Sequence, residues 1–283
     1  MFLLVCIVLL IRPDEASKGA LEGLRVAFEM VLPQILPFGV CAQGLIYTGF
    51  CEKAAKLLKP FMRFIGINEG CSAPFVISLV AGYPSGCKAV CDMYKENMIT
   101  KDEAEDFLSF CNNGGIIFAL SICGKKAFGS VWAGVIIFLV QIVSSLVTAK
   151  LLIKKREDGD KGVRYKKIPP IEAMGKSIAS GGSVIVNILS AFIVFYALGE
   201  ALNLSKIPFL YGLWEMTKGI QIAGEWGSIP LVAFFFSFGG LSVFAQSASF
   251  SSEGELKLTK LFVGKIITAS LALLITHLVL YIC

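Results

Sequence analysis

Charge is scarce in this chain: 17% of its 283 residues are Asp, Glu, Lys or Arg, against 55% that are hydrophobic. Soluble domains are about a quarter charged. A mean hydropathy of +0.74 argues against a water-soluble globular protein. The abundance of Phe, Leu and Ile excludes a disordered one. Histidine is almost missing. His277 stands alone, which argues against a histidine-based zinc site, haem ligation or a Ser-His-Asp triad. A phosphate-binding loop is missing too: Gly175-Lys176-Ser177 ends like one, but the glycine it needs at 170 is Pro170. A disulfide framework is not expected. The nine cysteines are an odd number, and Cys6, Cys41, Cys111, Cys123 and Cys283 lie in apolar runs, where cysteine serves as a small hydrophobe. The run from Phe2 to Ile11 has no basic stretch before it and no A-x-A-like site after it. It reads as a short or tilted membrane helix rather than a secretory leader.

What is present points to an all-α polytopic membrane protein. A helix crosses a bilayer with about 20 apolar residues, so this length allows roughly eight to ten membrane segments. The 28 glycines and 10 prolines are many for straight rods and predict broken helices or re-entrant hairpins. The net charge of +5 reflects cytoplasmic loops rather than a nucleic-acid partner. Its largest cluster is Lys154, Lys155, Arg156, Lys161, Arg164, Lys166 and Lys167. The positive-inside rule places that loop in the cytoplasm. It divides the chain into a first membrane repeat, 1–153, a basic loop, 154–170, and a second repeat, 171–283.

Each half reads in the same order. Residues 16–50 begin amphipathic and turn apolar, with Pro33 and Pro37 predicting a break. Residues 52–66 look interfacial. Residues 72–94 form a hairpin turning at Gly82-Tyr83-Pro84-Ser85-Gly86. Thr100 and Glu103 are spaced as a capping box. The helix that follows, 101–124, contains Cys111-Asn112-Asn113-Gly114-Gly115, poor helix formers that predict an unwound segment. Residues 127–153 make a span. In the second half, 171–203 form a long helix and 207–222 an interfacial or broken segment, with Trp214 and Trp226 as interfacial anchors. Residues 229–250 read as a second hairpin turning at Ser237-Phe238-Gly239-Gly240-Leu241-Ser242, and 256–282 as the closing span. Counted outward from the basic loop, the halves have opposite orientation, an inverted repeat that places a site at the midplane.

Candidate site residues follow from that frame. Lys88 and Asp92 share a helix face after the first tip. Lys88 either meets an anionic substrate at membrane depth or snorkels outward, paired with Asp92. Asn112 and Asn113 donate and accept at once, which suits a polar ligand or helix–helix hydrogen bonding. Gly82, Tyr83, Ser85 and Gly86 line a site or make a close helix contact. Gly240, Ser242 and Gln246, with Ser247, are their counterparts, and Glu215 and Thr217 either reach the site or are solvated at an interface. Cys87 and Cys91 share a face, a weak metal signal without further ligands. No cofactor or metal is expected, and a coupling ion stays open. The expected partners are the lipid bilayer, a small-molecule substrate and, as an option, a second copy of the chain.

Five segments carry a family resemblance: Leu32-Pro33-Gln34-Ile35-Leu36-Pro37-Phe38, Gly82-Tyr83-Pro84-Ser85-Gly86, Ile99-Thr100 with Glu103-Ala104-Glu105, Phe110-Cys111-Asn112-Asn113, and Ser237 to Val243. In this order they resemble the YlbJ-type sporulation integral membrane proteins, within the wider nucleoside-recognition (Gate) domain group. The resemblance covers nearly the whole chain. It implies a bacterial cell membrane location, or a forespore membrane, and a fold similar to the concentrative nucleoside transporters. It also implies a link to spore formation, with dipicolinic acid as one cargo. Where the family pattern carries histidine after the last motif, this chain has Phe244, which bears on that specificity.

The leading expectation is a permease for a small polar, anionic metabolite. The alternatives are a nucleoside-type transporter and a non-transporting membrane scaffold in sporulation. An enzyme is not expected, because Cys111 beside Asn112 has no base near it in sequence.

Overall fold

The computed structural model describes residues 2–66, 69–153, 168–252 and 255–282. The basic stretch 154–167, on which the cytoplasmic assignment rests, lies outside them. All regular structure among the described residues is helical. Among the described residues four helices are long and apolar enough to cross a membrane: Val131–Leu152, Pro170–Ala201, Ile229–Ser251 and Thr259–Ile282. This is fewer than the length allows, because much of the chain is spent on short, bent or paired helices.

The first half opens with α1 (Phe2–Ile11) and α2 (Pro13–Val26). Pro13 starts α2, where its missing N–H costs nothing, and Asp14 and Glu15 face the positive end of the helix dipole. A π-helical turn, Ala27–Val31, leads into α3 (Leu32–Tyr47). The break expected at Pro33 and Pro37 is instead this widened turn, in which the Leu32 amide reaches back five residues to the Ala27 carbonyl. Widening the helix next to Pro33 absorbs the donor that proline lacks, and the helix continues. The interfacial expectation for 52–66 falls on α4 (Phe50–Ile65). Its Leu57 and Phe64 are exposed while Ala55 and Met62 are buried.

Next come α5 (Ser72–Ala81) and α6 (Ser85–Lys95). They pack along one another as the expected hairpin. Gly82 makes the turn at φ +78°, a conformation that side chains resist. The helix α7 (Lys101–Leu108) starts with the expected capping box: Glu103 N–H donates to Thr100 Oγ1 at 3.3 Å, and Thr100 N–H donates to Glu103 Oε2 at 2.8 Å. The chain then unwinds through 109–115, as its Asn and Gly residues predict. It resumes as α8 (Ile116–Phe118) and a π-helical stretch, Ala119–Lys126. The span α9 (Val131–Leu152) closes the half, capped by Ser130.

The second half begins with α10 (Pro170–Ala201), which packs on α2 and α3. Gly19 and Gly23 of α2 lie directly on α10, where a β-carbon on Gly23 would come within 2.9 Å of the Phe192 carbonyl. Helices α11 (Pro208–Trp214) and α12 (Met216–Glu225) follow. They fold back on each other, with Gly212 set against the Cα of Gly219. This pair, turning at Glu215, is the second hairpin.

The assignment of that hairpin to 229–250 is therefore corrected. Helices α13 (Ile229–Phe238) and α14 (Gly240–Ser251) are broken at Gly239 and Gly240, both with positive φ. They diverge instead of folding back. Helix α13 packs on α9, α12 and α15 (Thr259–Ile282), and α14 on α6, α10 and α11. The break at 239–240, like the unwound 109–115, interrupts a helix, and the chain folds back at Glu215 as it does at Gly82.

Two hydrophobic clusters show the directions of these helices. Helix α9 has Ile137, Phe138 and Val140 in the first cluster and Ala149 in the second, whereas α15 has Leu261 in the second and Ala272 in the first. The broken helices behave likewise. Phe107 and Phe118 run from the second cluster to the first, and Val232 to Phe236 begin in the first while Phe244 and Phe250 pack on the second. Each pair runs in opposite directions.

Candidate functional site

Four interruptions of helix meet at one place. A β-carbon added to Gly82, at the first tip, would lie 2.9 Å from the Gly115 nitrogen in the first break. One added to Gly240, in the second break, would lie 2.8 Å from the Met216 nitrogen at the second tip. The absence of side chains lets each tip rest on the backbone of its own half's break. The ring of Phe236 lies against Gly114, and Tyr83 reaches from the first tip to the second break.

A cavity lies where they meet. The tips supply Val80, Ala81, Gly82 and Tyr83, and Glu215, Met216 and Thr217; the breaks supply Gly114, Gly115, Ile117 and Phe118, and Phe236, Val243 and Gln246; Ile188 and Phe192 of α10 close it. The cavity is narrow as it stands, about 60 Å³. Its wall is mostly apolar with a few polar groups, the usual composition of a small-molecule site.

Glu215 is its charged side chain. It is buried and caps α12: Lys218 N–H donates to Oε2 at 2.8 Å, and Ser242 Oγ donates to Oε1 at 3.4 Å. The carboxylate thus sits at the positive end of α12 and ties the second tip to α14. Beside it, Thr217 Oγ1 is buried with no partner among the described residues, a hydroxyl left for a ligand or water.

The first break is held by side chains that span the core. Gln141 of α9 pairs with the Gly114 peptide, accepting from its N–H at 3.1 Å and donating to its carbonyl at 3.0 Å. Asn113 Nδ2 donates to the Phe110 carbonyl at 2.7 Å and to Ser78 Oγ at 3.2 Å, while Asn113 Oδ1 accepts from Ser145 Oγ at 2.7 Å. Asn112 Nδ2 donates to Ser247 Oγ on α14 at 3.0 Å. The Gly114 peptide and the Phe110 carbonyl, freed by unwinding, thus find side-chain partners.

The residues predicted from sequence divide accordingly. Gly82, Tyr83, Glu215, Thr217 and Gln246 line the cavity. Ser85 and Gly86 lie behind the first tip, where Gly86 rests on the Cys111 carbonyl. Asn112, Asn113, Gly240 and Ser242 hold the tips and breaks in place without lining the cavity. Lys88 takes the second of its two sequence readings, the pair with Asp92. Its ammonium pairs with Asp92 at 2.6 Å on a face more than a third exposed, so it turns outward, away from the cavity. Phe244 packs in an aromatic row with Phe238 and Phe262. The departure from the family pattern therefore does not reach the cavity wall. Trp214 packs at a tilt against Phe195 and donates to its carbonyl at 2.8 Å, which gives it an internal partner rather than an interfacial anchor's. Trp226 is exposed.

Sequence reasoning missed Gln141, Ser145 and Lys265. Each is a polar residue inside an apolar span, which by itself marks a site at membrane depth.

Across 94% of its length the chain is similar, at 22% identity, to the sporulation integral membrane protein YlbJ of Bacillus subtilis, of which it covers 78%. The chain is thus similar to a YlbJ-type protein over nearly its whole length. With its apolar spans, this makes it an integral membrane protein. No family model matches the chain, and no solved structure does.

Proposed function

We propose that this YlbJ-type chain is a permease for a small polar metabolite with a flat, apolar body, acting in the membrane of a sporulating bacterium. We further propose that its halves are inverted repeats, as in the concentrative nucleoside transporter fold. The observation that carries this reading is the convergence of two hairpin tips and two helix breaks on one cavity. The opposite directions of α9 and α15 support the inverted relation. Sites at the junction of opposed broken helices are a recurrent transporter design.

The wall describes the cargo. Tyr83, Phe118, Phe192 and Phe236 offer ring surfaces, and Thr217, Gln246 and Glu215 offer polar groups. This suits a planar heterocycle with polar edges. The cavity wall holds a carboxylate and no Lys or Arg, so the anionic character inferred from Lys88 has no side-chain cation behind it. An acid group would instead rely on the Thr217 hydroxyl and the Gln246 amide. The family resemblance puts dipicolinic acid first among candidates, with nucleosides second.

Uptake of labelled dipicolinate, uridine and adenosine into vesicles containing the protein tests the reading. One of them should accumulate. Gly115→Val, which fills the contact between tip and break, should abolish that uptake, and Lys88→Met should leave it unchanged. No uptake of any of the three, or normal uptake by Gly115→Val, would sink the proposal. Full phenotypic rescue by variants at both tips would favour the scaffold instead.

A further inference from the structure

Lys265 is 2% exposed on the apolar helix α15, and nothing in the cavity wall accounts for it. A lysine at membrane depth is costly without partners. Among the described residues no carboxylate pairs with it. Its ammonium donates to Tyr83 Oη at 2.8 Å and to the Ser237 carbonyl at 3.2 Å, and it lies 4.5 Å from the centre of the Tyr83 ring. Tyr83 in turn donates to the Phe236 carbonyl at 3.0 Å.

These carbonyls are the end of α13. The Gly239 amide closes the last turn onto the Phe235 carbonyl. The turn at Gly239 and Gly240 then leaves the carbonyls of Phe236 and Ser237 without helical donors. The end of a half-helix carries partial negative charge, and such ends, together with unwound carbonyls, are where transporters hold monovalent coupling cations. The oxygens here are of that kind: two backbone carbonyls and a phenol hydroxyl. Ser237 Oγ is also buried with no partner among the described residues.

We propose that the Lys265 ammonium is a built-in cation that takes the place of a monovalent coupling ion at the end of α13, so that the protein works without sodium or potassium. The word coupling rests on the permease reading; occupation of the site does not. Because Tyr83 both touches Lys265 and lines the cavity, the resident charge fixes the first tip to the second break, a task a bound ion would otherwise perform.

The test is thermal unfolding of the purified full chain in detergent, in sodium, potassium or choline chloride at equal ionic strength. The wild type should unfold at the same temperature in all three. Lys265→Ala and Lys265→Ser, which vacate the ammonium's position, should unfold earlier in choline and regain stability in sodium or potassium along a saturable curve. A saturable sodium response in the wild type would overturn the proposal. So would variants that respond equally to every salt, or that fail to fold even in sodium. None of these readouts requires transport, so absent uptake would defeat the permease reading and leave this result standing.

Discussion

At Glu215 one carboxylate serves two helices. It closes the first turn of α12 through the Lys218 amide and receives the Ser242 hydroxyl from α14. Removing it leaves that amide and hydroxyl without their acceptor inside the protein, which is worse than never burying the group. Glu215→Ala should therefore lower unfolding stability by about 1–2 kcal/mol, the upper range for a lost helix cap, whereas Glu215→Gln keeps an acceptor and loses less. Thermal unfolding of both variants in one detergent checks the order. Gln141 works on the same principle from α9, matching both atoms of the Gly114 peptide. Neither link between helices is visible in a sequence, because Ser242 and Gly114 each lie 27 residues from their partners and meet them only after folding.

Among the elements, the first hairpin and the breaks show what the sequence discloses. Gly82, Thr100 and the Asn112-Asn113-Gly114-Gly115 run were legible because turns, caps and unwinding are local chemistry. Whether the chain folds back or merely bends at Gly239 is not local. Two left-handed glycines permit both, and the packing partners of α14 on α6, α10 and α11 decide. The true second hairpin was hidden by length. Its arms, of 7 and 10 residues, are too short to stand out as an apolar run. The first hairpin also gives a sharp test. A β-carbon at Gly86 would lie 2.5 Å from the Ser78 Cβ and overlap the Cys111 carbonyl. Gly86→Ala should wedge the hairpin off the first break, at a cost of about 1–3 kcal/mol typical of overpacking. In vesicles its uptake should fall more than its fold is lost, with unfolding midpoint and initial rate measured on the same preparation.

For the molecule as a whole, α9 and α15 form a fixed antiparallel pair, joined where the Thr148 and Thr268 hydroxyls stand 2.8 Å apart in the buried core. If these two helices move as one body during transport, a bridge between them should be harmless. The double variant Thr148→Cys with Thr268→Cys, placed in a chain without other thiols, should oxidise to a disulfide readily, given how close the two side chains sit. It should retain uptake. Formation of the bridge with loss of uptake would mean that these two helices slide during transport.

The acid at the start of α12 and the amine at the end of α13 have an electrical consequence. The two opposite charges sum to zero and each belongs to a helix end that already favours it. A rearrangement that carries both across the bilayer together moves no net charge through the transmembrane field, which otherwise acts at about 2.3 kcal/mol per charge per 100 mV. Uptake of an uncharged cargo should then be indifferent to voltage. Vesicles polarised inside-negative with a potassium gradient and valinomycin should fill at the same rate as unpolarised ones.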